Sequence, residues 1–345
     1  MYKTSLIITT INKPNYNLRE YAKYCKKNDW EFIVVGDKKT PKNFNLRNCL
    51  FVDYKKKIKG LNFPKFCLLN SYARKNIGYL ISIKNNTNII VETDDDNMPL
   101  KNFFKPINLF EKAKIISKKN DWLNIYNYFL KNSKIKIWPR GLPLDKINFS
   151  SDKIIKKSKL LPISVVQSVC NGNPDVDAIF RLMNKNEKNI KFLPNLKFFL
   201  DQNTYCPFNS QSTTWIRECF PLLYLPSFCS MRTTDIWRSL IAQVILNNNN
   251  KKILFISPNV FQIRNEHDLL SDFESEIPVY LKNKKLINLL SELSLKKGSN
   301  NYIENLVKCY EALVKKNFLP KKELILLNYW VKDLNFITKS TNKSR

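Results

Sequence analysis

Short apolar runs and helical spacings alternate along the first part of the chain. Lys3 to Thr10 is a β-favouring run that ends in the polar stretch Thr9-Thr10-Ile11-Asn12. Leu18, Tyr21, Ala22 and Cys25 follow at the spacing of one helix face, which predicts a helix over 18–28. Trp30 to Val35 reads as a second strand closed by Gly36-Asp37, and Leu50 to Asp53 as a third. Lys65 to Ile83 has a helical pattern, and Asn88 to Val91 is an apolar run suited to a buried strand. Strand, helix, strand, strand, helix, strand is the order of an α/β unit with a mainly parallel sheet flanked by helices. Residues 101–160 are Lys-rich and weakly periodic. Ile163 to Val169 predicts another strand, Ala178 and Met231–Ile245 begin helices, and Leu, Ile and Tyr recur at helical spacing over 281–334. Two parts are expected: an α/β domain over 1–275 and a helical extension over 276–345.

The chemistry concentrates where the apolar run at Asn88 ends, with Glu92, Asp94, Asp95 and Asp96 within five positions. Carboxylates this close repel one another unless they are solvated, hydrogen-bonded or shared with a cation. Ligands of open α/β sheets sit beyond the carboxyl ends of the strands. A divalent metal with a phosphate-bearing ligand is therefore the leading reading, and a solvated acidic turn is the plain alternative. Six glycines, none suitably spaced, exclude a Gly-rich phosphate loop, so phosphate must be met by metal and cationic side chains. Thr10 and Asn12 end the first strand where a nucleotide could lie. Asp37 suits a ribose or base edge, or merely a Gly-Asp turn.

Three later stretches add candidates. Trp138-Pro139-Arg140-Gly141-Leu142-Pro143-Leu144 places Arg140 in a turn stiffened by two prolines. Asn173-Pro174-Asp175-Val176-Asp177 is a second acidic turn, in which Asp175 or Asp177 either serves a site or caps the helix from Ala178. Met231-Arg232-Thr233-Thr234-Asp235 opens a helix, and Asp235 either stabilises its start or joins Arg232 in a site. The single histidine, His267, is a ligand candidate set against an ordinary surface or core role.

Charge changes this picture only in part. Lys and Arg number 58 against 29 acidic residues, a net charge of +29, which points to nucleic acid, anionic lipid or phosphorylated ligands. Forty-eight of the 58 are lysine, and Asn is abundant too, as in a chain with a general Lys and Asn bias; the other reading is a membrane-facing basic patch. No recognised nucleic-acid module is present, which leaves a basic nucleic-acid-binding protein or metal nuclease as a remote alternative. The eight cysteines form no CxxC pair and no zinc spacing. No run approaches the roughly 20 apolar residues of a membrane span, so a cytoplasmic protein is expected, with at most a peripheral contact on an anionic membrane.

Taken together, the motifs resemble a known family. Arg74-Lys75-Asn76-Ile77-Gly78-Tyr79-Leu80 with the acidic strand end, the Trp138–Leu144 stretch, and Asn173-Pro174-Asp175-Val176-Asp177-Ala178 are similar, in order, to the glycosyltransferase-like domain of the plant STELLO proteins. This resemblance is read over residues 1–275. A more distant likeness is to reversibly glycosylated polypeptides, or UDP-arabinopyranose mutases, through Asp94-Asp95-Asp96, the Arg140-Gly141-x-Pro143 turn, and Arg232 with Asp235-Ile236-Trp237.

The resemblance implies a GT-A-like α/β fold and a metal-dependent glycosyltransferase. The donor would be a nucleotide-diphosphate sugar carrying UDP, the cofactor Mn²⁺ or Mg²⁺, and the acceptor a glycan or other hydroxyl. The STELLO-like register puts the metal pair at Glu92 and Asp94, whereas the mutase-like register uses Asp94, Asp95 and Asp96. Arg74 and Arg140 would then serve the diphosphate, Thr10 and Asp37 would lie near the uridine, and Asn12, Asn76 and Arg232 would also bind the nucleotide sugar. Asp177 and Asp235 would act as base or sugar contacts, and His267 as a late metal or phosphate ligand. A UDP-sugar mutase, or a protein that glycosylates itself at Arg140, is the alternative the same likeness implies.

Overall fold

A computed structural model describes residues 2–118, 121–130, 136–147, 154–185, 187, 189–263 and 268–343. In chain order its strands are β1 (Thr4–Thr10), β2 (Trp30–Gly36), β3 (Leu50–Val52), β4 (Ile89–Thr93), β5 (Asn97–Pro99), β6 (Phe110–Ser117), β7 (Asp121–Trp122), β8 (Ile154–Pro162), β9 (Val165–Gly172), β10 (Lys197–Leu200), β11 (Thr204–Tyr205), β12 (Ser212–Ile216) and β13 (Ile253–Gln262). The helices are α1 (Tyr16–Lys27), α2 (Phe63–Phe66), α3 (Lys75–Lys84), α4 (Ala178–Met183), α5 (Met231–Asn248), α6 (Leu269–Ser291), α7 (Tyr302–Lys315) and α8 (Lys322–Lys343). One large sheet runs β3-β2-β1-β4-β12-β9-β13-β10-β6-β8, with β5 beside β13, and β7 pairs with β11 in a separate ribbon.

The α/β class read from the pattern is what the structure has. The first four strands in space, β3, β2, β1 and β4, are all parallel. From β12 onward the sheet is mixed, because β12 runs antiparallel to both β4 and β9. Alternate residues of β1 go to opposite layers, which is why the run reads as continuously apolar. Leu6 and Ile8 pack with Leu18, Tyr21, Ala22 and Cys25 of α1. Ile7 packs with Ile77 and Leu80 of α3 and the larger core beyond. Gly78 permits that approach: a Cβ there would lie 2.5 Å from Ile7 Cγ2.

The helix expected over 65–83 is broken instead. Residues 67–71 interrupt it between α2 and α3, with a 3₁₀ turn at Tyr72–Arg74 capped by Ser71. That break carries Tyr72 and Arg74 to the end of the sheet rather than along its face. α5 is apolar or satisfied on nearly all sides and is buried from Thr233 to Asn247, as a helix inside a core must be. The expected border at 275/276 falls within α6, which is unbroken from Leu269 to Ser291.

The last helix is tied to the body by carboxylates on backbone donors. Glu323 accepts from Tyr224 Oη and from the amides of Ser227 and Phe228. Asp333 accepts from the amides of Asn62 and Phe63 at the start of α2. Among the described residues, no helix is long and apolar enough to cross a membrane.

Candidate active site

The sheet's register brings the site together. Thr10 at the end of β1 pairs with Gly36 at the end of β2, and β4 ends beside them. β12 runs the other way, so the residues just before it, Ser210 and Gln211, arrive at the same edge, as do the ends of β9 and β13. A cleft of about 480 Å³ opens there, lined among others by Thr10, Asn12, Asp37, Arg74, Asp94, Asp95, Asp96, Arg140, Asp175, Arg232, Asp235 and Gln262.

At one end of the cleft, Asp37 is held by its surroundings. Its Oδ2 accepts from the Ser71 amide at 3.0 Å, and its Oδ1 lies 3.7 Å from Arg74 Nε. Arg74 Nε donates to the Gly36 carbonyl at 3.0 Å. Thr40 Oγ1 donates to the Thr10 carbonyl, locking the loop after β2 onto β1.

The acidic triplet sits between this end and the rest. Asp94 Oδ1 accepts from Tyr72 Oη at 2.6 Å and from Lys75 Nζ at 2.9 Å. Lys75 is fully buried and also donates to the Thr93 carbonyl. Asp95 Oδ2 accepts from Thr10 Oγ1 and Asn12 Nδ2. Asp96 Oδ2 accepts from Gln262 Nε2 at 2.7 Å, while its Oδ1 is buried without any partner. Burial, then the neighbouring charge of Asp94, pushes the Asp96 carboxyl up to about 7. Burial also raises Asp94, against the lowering pull of Lys75 and Tyr72.

The far wall is a closed ionic network. Arg140 Nε and Nη2 make two 2.8 Å bonds to the two oxygens of Asp175, and Nη2 reaches Asp235 Oδ2 at 2.9 Å. Nη1 donates to Asp235 Oδ1 and to the Arg232 carbonyl. Every N–H of Arg140 thus has an oxygen partner. Gly141, at φ +86°, makes the turn behind it, and Asn283 of α6 donates to its carbonyl. Arg232 donates to Glu276 of α6 and to the Val176 carbonyl. Burial alone would raise Asp235, but the Arg140 guanidinium outweighs it and the carboxyl lies below its usual range.

Three predicted site residues do not reach the cleft. Glu92 is the penultimate residue of β4 and fully buried, paired with Arg238 of α5 at 2.8 Å and bonded to Trp215 Nε1 and Tyr79 Oη. A carboxylate so enclosed has no oxygen left for a cation shared with Asp94. Asn76 is buried too, bridging the amide and carbonyl of Leu225. Asp177 is the N-cap of α4, accepting from the Phe180 amide and from Trp138 Nε1. Burial pushes its carboxyl up to about 6. In that turn it is Asp175 that faces the cleft. His267 lies outside the described residues.

Tyr72 reaches the site although the sequence did not single it out. Tyr72 Oη also bonds Ser210 Oγ, which contacts Asp235 Oδ2 at 3.4 Å, so a chain of side chains links the acidic triplet to the closed network. The motif around Arg74 was visible in the sequence. Its Lys75 faces Asp94 together with Tyr72, two residues before the motif, an arrangement that only the break between α2 and α3 reveals.

Among the described residues, no three His, Cys, Asp or Glu side chains are grouped so as to hold a metal by themselves. The unpartnered Asp96 oxygen beside Asp94 and Asp95 nonetheless fits a hard cation whose remaining ligands come with a phosphate-bearing ligand. Mg²⁺ in particular uses one or two carboxylates and completes its shell with phosphate oxygens and water.

Comparison with known proteins adds kinship. Residues 232–342 match the model of the STELLO glycosyltransferases, so the match reaches into the C-terminal helices, beyond the 1–275 read from the motifs. The chain is 23% identical over 343 residues to an Arabidopsis thaliana protein described as "Probable glycosyltransferase STELLO1", covering 95% of this chain and 44% of that protein. It is also 23% identical over 345 residues to the Arabidopsis "Probable glycosyltransferase STELLO2", with the same coverage. The chain therefore spans less than half the length of these curated relatives. A solved mycobacterial protein aligns with 84% of this chain and 74% of its own, at 10% identity and a TM-score of 0.43, too low to carry an argument.

Proposed function

We propose that this member of the STELLO glycosyltransferase family transfers a sugar from a nucleoside diphosphate sugar to a hydroxyl acceptor, working in the cleft at the end of β1, β2 and β4. The observation that carries the reading is the meeting, in one cleft, of the Asp94–Asp96 carboxylates, the Asp37–Arg74 pair and the Arg140-held aspartates. Asp37, Thr10 and Asn12 offer hydrogen-bonding groups to a nucleoside. Asp94, Asp95 and Asp96 would hold Mn²⁺ or Mg²⁺ together with the diphosphate. The cation would neutralise charge on the leaving nucleoside diphosphate.

What the protein's own groups do follows from their charge. Asp235 is kept ionised by Arg140, so it is a poor proton acceptor at neutral pH. Asp175, whose oxygens each accept one bond from Arg140, has lone pairs left for sugar hydroxyls and so suits fixing the orientation of the ring. Asp235, bonded also to the Ser210 and Ile236 amides, holds the clamp. Arg140, with every N–H engaged, holds these two carboxylates in place rather than meeting phosphate. Arg74 keeps the nucleoside end in shape by joining the Gly36 carbonyl to Asp37. Tyr72, bonded at once to Asp94 and Ser210, couples the two halves.

A panel of UDP-sugars, each incubated with the protein and Mn²⁺ while released UDP is measured, tests the reading. Release from one donor above the others is expected, growing when a suitable hydroxyl acceptor is added. No release from any nucleotide sugar, with Mn²⁺ or Mg²⁺, would sink it. A change of sugar ring form without an acceptor would instead identify a mutase.

A further inference from the structure

We propose that the ribbon of β6 and β8, at the edge of the sheet away from the β1–β3 side, is a docking surface for an anionic lipid bilayer. β8 is the last strand of the sheet and is exposed along almost its whole length. In the β6–β8 ladder, Phe110 lies opposite Pro162 and Lys112 opposite Leu160, and all four are exposed. Phe110 is 57% and Leu160 66% accessible, and Ile155, opposite Ile116 on the same face, is 48% accessible. The opposite face of β6 is accounted for, because Ala113 and Ile115 are buried with Phe199 and Leu254.

Beside these apolar groups, on the same face, stand Lys112 and Lys114, both exposed and without an ion-pair partner among the described residues. The acidic groups nearby are spent: Glu111 is paired with Lys197, and Asp201 with Lys156 and Lys252. Lysines on an edge strand commonly guard against pairing with another strand. That role does not call for Phe110, Ile155 and Leu160 to be exposed beside them. Large apolar side chains interleaved with unpaired cations match the boundary between acyl chains and acidic headgroups, where each apolar group inserts and each lysine meets negative charge. The chain's net charge of +29 strengthens attraction to the same surface.

Co-sedimentation of the full chain with vesicles tests this directly. Binding to phosphatidylcholine vesicles containing phosphatidylserine should exceed binding to phosphatidylcholine alone by about tenfold or more at moderate salt. Lys112→Glu/Lys114→Glu should remove most of that gain. The same number of reversals, on the exposed Lys315 and Lys316, should reduce it much less. Phe110→Ser/Leu160→Ser, which leaves the charge unchanged, should weaken binding several-fold and make what remains more salt-sensitive. Circular dichroism checks that each variant stays folded. Equal loss from both sets of charge reversals, or no effect of the apolar pair, would overturn the proposal. So would failure to bind acidic vesicles while duplex DNA or RNA is bound through the same ribbon.

Discussion

Two charged clusters face one another across the cleft, and they are built on opposite principles. The Arg140 cluster is closed: each guanidinium N–H is matched, and Asp175 and Asp235 have their charge answered on the spot. The Asp94–Asp96 cluster is open: a buried Asp96 oxygen has no partner, and the carboxyls of Asp94 and Asp96 are both raised. A closed network fixes structure, because breaking one member strands a buried charge. An open one holds unspent binding capacity, which in a cleft is a place for a ligand. The contrast also runs along β4 itself, where Glu92 is buried and paired while Asp94, two residues later, opens to the cleft.

The sharpest way to break the comparison is Arg140→Met. Two buried carboxylates would lose their main counter-charge, and the loss of stability in urea unfolding should be about 3–5 kcal/mol. A change below about 1 kcal/mol would mean that solvent reaches the network and it is not closed. Glu92→Gln comes next. It leaves Arg238 buried without a negative partner, so about 3 kcal/mol of destabilisation is expected, with little direct effect on nucleotide binding.

The open cluster should behave the other way. Asp96→Asn removes a raised carboxyl with an unpartnered oxygen, so its melting temperature should be unchanged or higher while cation-dependent nucleotide binding falls. A marked loss of stability in this variant would show that the triplet is structural.

The smallest effect concerns pH. The Asp177 carboxyl is raised by burial to about 6, above the ~3.9 of an unfolded chain. The folded protein therefore holds this proton more tightly. The resulting stabilisation is full below about pH 4 and is lost as pH rises through about 6. Relative to Asp177→Asn, the wild type should lose melting temperature over that interval, and parallel curves would contradict the assignment.

The sequence made the outline of the fold legible where local pattern and tertiary environment agree. The face of α1, the strands flanking it and the helix after Asp177 lie within a few residues of their expected places. The long antiparallel ribbon of β6 and β8 was not visible, since its lysines mask the alternation that marks a half-buried strand. Asp94, Asp95, Asp96, Asp37 and Arg74, which line the cleft, could be proposed from the sequence because strand-end chemistry is local. Glu92 could not be told from them, because its partner Arg238 lies 146 residues away. The same limit hid Tyr72, whose contact with Ser210 forms only when β12 pairs with β4. It also made Arg140 look like a phosphate ligand when two distant aspartates already hold it.

The central claim is that the open cluster binds a cation together with a nucleoside diphosphate, and calorimetric titration of UDP reaches it most directly. For the wild type, affinity should rise by about tenfold or more, roughly 1.4 kcal/mol, when Mn²⁺ is present. In Asp95→Asn/Asp96→Asn, still folded by its melting temperature, that rise should vanish. UDP binding that is equally tight under chelation, or a Mn²⁺ response that survives the double substitution, would contradict the claim.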